Sequence, residues 1–151
     1  MKEKNRKETR WTGFYANLAL IYAVAAMVSG VFFREFTKFT QFTGQTRLSV
    51  MHTHYFMLGM FFFLILALAQ KVLNFSDQKT GGVILAYQIG LNITAAAFLV
   101  RGLGQVQGTE WSKAMDASIS GIAGIGHILT GISMILVLLK IKKSVMRETV
   151  G

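Results

Sequence analysis

The residues of this chain best suited to chemistry are its three histidines. His52 and His54 stand one residue apart in RLSVMHTHYFMLGMFFF, and His127 stands in GIAGIGHILTGISMI. All three sit in apolar runs, where an imidazole is costly unless it is hydrogen-bonded or ligating. Neutral imidazole binds zinc, copper and iron. The chain has no Cys, which removes thiolate sites, disulfides and c-type haem attachment. A closed zinc site takes four ligands, and beyond three histidines the nearest acids, Glu110 and Asp116, fall at the ends of apolar runs. A haem takes two axial histidines, an apolar slot and cations for its propionates.

The elements that must hold these residues are read from hydropathy. In 151 residues, 52% of them hydrophobic, four apolar stretches stand out, at about 13–33, 48–70, 83–100 and 117–139. Stretches of roughly 18 to 23 residues span a hydrocarbon core as helices, because lipid leaves no other partner for backbone polar groups. The expectation is an all-α integral membrane four-helix bundle, up-down-up-down, forming one domain over residues 1–151. The net charge of +9 is spread over the ends and connections, which reads as topology and leaves no basic and aromatic surface for nucleic acid. With four spans, Lys2, Lys4, Arg6, Lys7, Arg10, Lys71, Lys79, Lys140, Lys142, Lys143 and Arg147 share one side. Arg34, Lys38, Arg47, Arg101 and Lys113 take the other, so both termini are expected in the cytoplasm. The start MKEKNRKETR resembles a signal peptide, but the following apolar run is long and VFFREF stands where a cleavage site would be, so the first span is read as retained.

Helical facing sorts the candidates. At about 100° per residue, His52 shares a face with Ser49, Phe56, Gly59, Phe63, Ala67 and Gln70. His54 falls about 200° away beside Leu58, Phe61, Ile65 and Leu68, a face suited to lipid or a subunit contact. His127 shares its face with Asp116, Ser120, Ala123, Gly124, Gly131 and Met134. Small and polar residues mark helix contacts in membranes, so facing pairs His52 with His127. Depth points the other way: His52 is 19 residues before Lys71, His54 is 17, and His127 is 13 before Lys140. That leaves His52 offset from His127 by about 9 Å and His54 by about 6 Å. Phe56, Phe63 and Met134 would line a slot, Gly59, Gly124 and Gly131 would leave room in it, and Arg47 and Arg101 would meet propionates. The plainer readings are interfacial histidines satisfied by water or backbone, and snorkelling arginines. Gln88 and Asn92 share a face of the third span and read as interhelical hydrogen-bonders, while GLGQVQG lacks a preceding strand and reads as loop.

RLSVMHTHYF resembles the second helix of haem-copper oxidase subunit I, where Arg-Leu precedes a His-Thr whose histidine binds the low-spin haem. His52 and Thr53 match that element. HTHYFMLG is also similar to a later helix of the same proteins, whose His-x-His-Tyr serves two haems, and only that alignment gives His54 a role. Over nearly its whole length the chain resembles the small bacterial membrane proteins grouped as domain of unknown function 2871. The oxidase resemblance implies haem, yet those enzymes need six histidines and this chain has three, so no haem-copper centre is expected.

The expectation is therefore a multi-pass protein of the bacterial cytoplasmic membrane binding haem b through His52 and His127. His54 is the alternative or a second ligand, and the role would be electron transfer, haem handling or gas sensing. The rivals are a small transporter or channel subunit with a histidine proton or metal relay, and a structural subunit of a membrane complex. The lipid bilayer is the expected surrounding, with a homodimer or a membrane-complex partner meeting the face of His54.

Overall fold

Each apolar stretch forms a helix that runs past it into polar flanks, because backbone hydrogen bonding continues where hydropathy falls. The computed structural model describes residues 2–148, with side chains described from residue 9 to residue 147; the side chains of Lys2, Lys4, Arg6 and Lys7, used in the charge count, lie outside them. Helix α1 is Lys2–Phe39, α2 is Leu48–Leu73, α3 is Gln78–Gln107 and α4 is Lys113–Glu148. All four are long and apolar enough to cross a membrane. GLGQVQG is therefore not loop: it forms the last turns of α3, with Gly102 buried against Leu48 and Gly104 against Trp111.

Local chemistry ends the helices where the chain must turn. Asn74, at φ 44°, takes the left-handed conformation that closes α2, and its amide donates to the Gln70 carbonyl. Gly108, at φ 66°, does the same for α3. Asp77 caps α3 in a reciprocal box with Thr80, accepting from its backbone N–H while the Thr80 hydroxyl accepts from Asp77 N–H. Lys140 of α4 donates to both Asp77 and Thr80, tying the end of α4 to the start of α3.

That hydrogen bond from Lys140, reinforced by those from Thr80, holds the Asp77 carboxyl well below the usual carboxylate range. A carboxyl depressed in the folded state stabilises the fold above its unfolded value of about 4, and loses that contribution as pH falls towards the folded value. Asp77→Asn keeps the cap but removes the charge. The thermal midpoint of the variant in detergent is expected below the parent's at pH 7, with the gap closing in acid; because Asp77 is exposed, the gap is small and shrinks with salt.

Helix α1 packs along α2, α3 packs along α4, and the first turns of α2 also lie on α3. Tyr15 and Tyr22 of α1, Phe63 and Leu66 of α2, Tyr87 and Leu91 of α3 and Val137 of α4 form the core. Along the α3–α4 seam, Gly90 faces Thr130 and Gly126 faces Thr94, so that a Cβ on either glycine would lie within 3 Å of the other helix's backbone. Small residues four apart on both helices permit this approach, which is how membrane helices gain van der Waals contact without a hydrophobic drive.

One departure from regular geometry bears on the histidines. Helix α2 is α-helical over Leu48–His54 and Phe62–Leu73, but Tyr55–Phe61 is a π-helical turn. Bonds from i to i+5 place more residues in each turn, so this segment lags a regular helix by on the order of a quarter turn. Gly59 within it lets Tyr22 close in, since a Cβ there would come within 2.6 Å of that ring. The Tyr87 hydroxyl donates to the Leu58 carbonyl at 2.6 Å.

Candidate functional site

The π-turn decides which histidine meets the fourth helix. His54, not His52, faces His127: their ring centres are 5.9 Å apart, with planes at 89°. Phe98 of α3 completes the group, 4.8 Å from His54 and 5.9 Å from His127. The facing expectation is thus reversed. Phe61, the last residue of the turn, and Ile65 and Leu68 below it point outward, as the regular count required. Above it His54 has swung away from them to the α3–α4 side.

Both rings are held by their own helices. His54 Nδ1 lies 3.1 Å from the Val50 carbonyl and His127 Nδ1 lies 2.9 Å from the Ala123 carbonyl. A carbonyl can only accept, so each neutral ring carries its proton on Nδ1 and keeps the Nε2 lone pair free. This is the arrangement in which a histidine ligates a metal while its other nitrogen fixes the ring.

The pair lies in a cleft of about 410 Å³. Helix α2 and the residue before it contribute Arg47, Val50 and His54, α3 contributes Phe98 and Arg101, and α4 contributes Ser120, Gly124 and His127. Arg101 donates from Nη2 to Asp116 Oδ1 at 2.6 Å, the Asp116 carbonyl at 2.9 Å and Ser120 Oγ at 2.9 Å. Arg47 is exposed, its backbone amide held by Gln105 Oε1 at 2.8 Å. His54 is half-buried and His127 is exposed on the flank of the bundle. Among the described residues no group of three or more His, Asp or Glu converges.

Of the residues read from the sequence, His54, His127, Arg47, Arg101 and Gly124 line this cleft. His52 lies on the α1 side, where a Cβ on Gly30 would stand 3.6 Å from it, and its Nδ1 is buried without a hydrogen-bond partner. Gly59 and Phe63 do face inward, but towards α1: Phe63 stacks on Tyr22 at 5.5 Å inside the core. Met134 packs on that core too, and neither Phe56 nor Gly131 lines the cleft. Asn92 bonds between helices as expected, accepting from the Tyr55 hydroxyl and donating to the Tyr22 hydroxyl, whereas Gln88, expected to do the same, contributes among the described residues only its carbonyl to Asn92 within α3. Phe98 was not singled out from the sequence, although its spacing three before Arg101 puts it on the same helix face.

Residues 14–144 match the family described as protein of unknown function (DUF2871). The chain belongs to this family. No curated protein and no solved structure matches it. Nearly all of the DUF2871 match is helix, and it takes in both sides of the histidine cleft.

Proposed function

We propose that this DUF2871 protein is a b-type haem protein of the cytoplasmic membrane, with His54 and His127 as axial ligands. The observation that carries the reading is the pair itself: two imidazoles on different helices, each with Nδ1 tied to a carbonyl and Nε2 free, their centres 5.9 Å apart. Rings this close would be the residues that hold such a group, each offering the nitrogen not tied to its own helix. Two protein ligands suit a macrocycle, which supplies the equatorial nitrogens itself, better than a bare ion that needs a third or fourth side chain. Arg47 and Arg101 at the cleft mouth suit two propionates, Arg47 with its guanidinium exposed and Arg101 braced by Asp116. The resemblance of HTHYF to the oxidase helix with His-x-His-Tyr agrees with a ligand role for His54.

Haem iron bound this way would supply one-electron chemistry between its ferric and ferrous states. The chain's own part would be to fix both rings through Val50 and Ala123, to meet the propionates with Arg47 and Arg101, and to set Phe98 against both rings. The role would be electron transfer, haem handling or gas sensing. The up-down-up-down course with both termini inside belongs to the same proposal. The basic excess on the side of the termini supports it.

The test is an optical spectrum of the full chain purified after expression with ample haem. A Soret band that sharpens and shifts on reduction, with a resolved α band, is expected. A protein that is folded and helical but shows no Soret band overturns the reading.

A further inference from the structure

The structure assigns Tyr87 the role of a positioning residue: its hydroxyl holds open the π-turn of α2, and that turn presents His54, rather than His52, to His127. The inference rests on the haem reading for its purpose, but its geometry stands apart from any cofactor.

The argument starts from the backbone. A π-turn displaces carbonyls from their usual i+4 partners, and in a membrane span no water replaces them. The Leu58 carbonyl is in the middle of the turn, and Tyr87 of α3, fully buried, donates to it at 2.6 Å. Phe62 stacks on the Tyr87 ring at 4.4 Å and Phe63 meets it edge-on at 5.6 Å, so the ring is clamped where its hydroxyl must point. Without this donor, regular α-helix is the arrangement that best satisfies the segment's own backbone. The lower half of α2 is fixed in the core by Phe63, Leu66 and Gln70, so the upper half would have to turn. His54 would then move towards the outward face of Ile65 and Leu68, away from Phe98 and His127.

A π-turn is also equivalent to a regular helix carrying one additional residue. Deleting one residue inside Tyr55–Phe61 therefore lets the segment become α-helical while both flanks keep their directions. Met57, whose side chain is largely exposed, is the residue to remove. This yields a rescue that a merely structural tyrosine would not show: Tyr87→Phe should misplace His54, and adding the Met57 deletion should put it back.

The chain has no Cys, so paired thiols report the geometry cleanly. The experiment places cysteines at 54 and 127, or at 52 and 127, in the full chain. A short bifunctional thiol reagent then reads cross-linking in membranes. The 54/127 pair is expected to react faster than 52/127 by on the order of a hundredfold, the usual cost of misplaced reacting groups. Tyr87→Phe should remove most of that advantage, and Tyr87→Phe with the Met57 deletion should restore it. The Met57 deletion alone should leave 54/127 cross-linking intact. Unchanged cross-linking in Tyr87→Phe, or loss of it in either deletion chain, overturns the inference. If Tyr87→Phe does not fold, the combined variant decides, since restored folding and cross-linking support the role and failure of both refutes it. In the histidine-bearing chains the Soret band should follow the same pattern. Cross-links that behave as expected with no Soret band in any chain would remove the haem reading and leave the positioning role standing.

Discussion

Leucine in place of Gly126 is expected to unfold the α3–α4 pair and take the histidine cleft with it. A Cβ at this position would lie 2.5 Å from Thr94 Oγ1, 2.8 Å from the Gly90 carbonyl and 2.9 Å from the Thr94 amide. Two of those three atoms are backbone, which cannot swing aside as a side-chain tip can. The helices must separate, and the reciprocal contact of Gly90 with Thr130 is lost in the same movement. Overpacking inside a close seam costs roughly 3 kcal/mol or more when backbone has to yield. His127 is the next residue along α4, so its ring moves with the seam. Gly121→Leu is the control, because a Cβ there meets nothing within 4 Å. The thermal midpoint of Gly126→Leu in detergent should fall far below that of Gly121→Leu. Equal midpoints would show that the seam does not hold the pair together.

The second large effect separates the histidines. His127→Ala and His54→Ala should each lose the Soret band or convert it to a five-coordinate, high-spin form, whereas His52→Ala should keep it. Loss of an outer partner of a metal ligand already weakens binding by roughly 10–100-fold, and loss of the ligand itself should exceed that. His52 offers a different readout. Its Nδ1 is buried and unpaired beside Gly30, and an unsatisfied polar atom in that position destabilises, so His52→Ala should leave stability unchanged or slightly raised. Retention of the band in His54→Ala together with its loss in His52→Ala would place the ligand on the α1 side and refute the cleft.

The sequence made the four spans legible because lipid permits so few alternatives to a long apolar helix. Of the candidate residues, His54, His127, Arg47, Arg101 and Gly124 meet in one cleft, whereas His52, Phe56, Gly59, Phe63, Gly131 and Met134 do not line it. The pairing was hidden, because facing was counted at a constant angle along MHTHYFMLGMFFF. Seven residues of that run are π-helical, and no residue type announces it. Gly59 among bulky neighbours is the single local hint, and its meaning depends on Tyr22 of another helix. Depth, which ignores rotation, pointed correctly to His54. Gly59 and Phe63 were rightly judged to face inward, but inward meant α1, since a helix inside a bundle has more than one neighbour. GLGQVQG failed for a related reason: glycines that break helices in water here admit Leu48 and Trp111 against the backbone.

The cleft also has a chronology. His54 is on the second helix and His127 on the fourth, so a chain inserted from its N-terminus has no complete site until α4 has entered the bilayer. Any group held between them must arrive after insertion. Because His127 is exposed on the flank of the bundle, the way in runs sideways from the hydrocarbon phase as well as down from the arginine mouth. A group held between the two histidines would be captured only once both helices are in place.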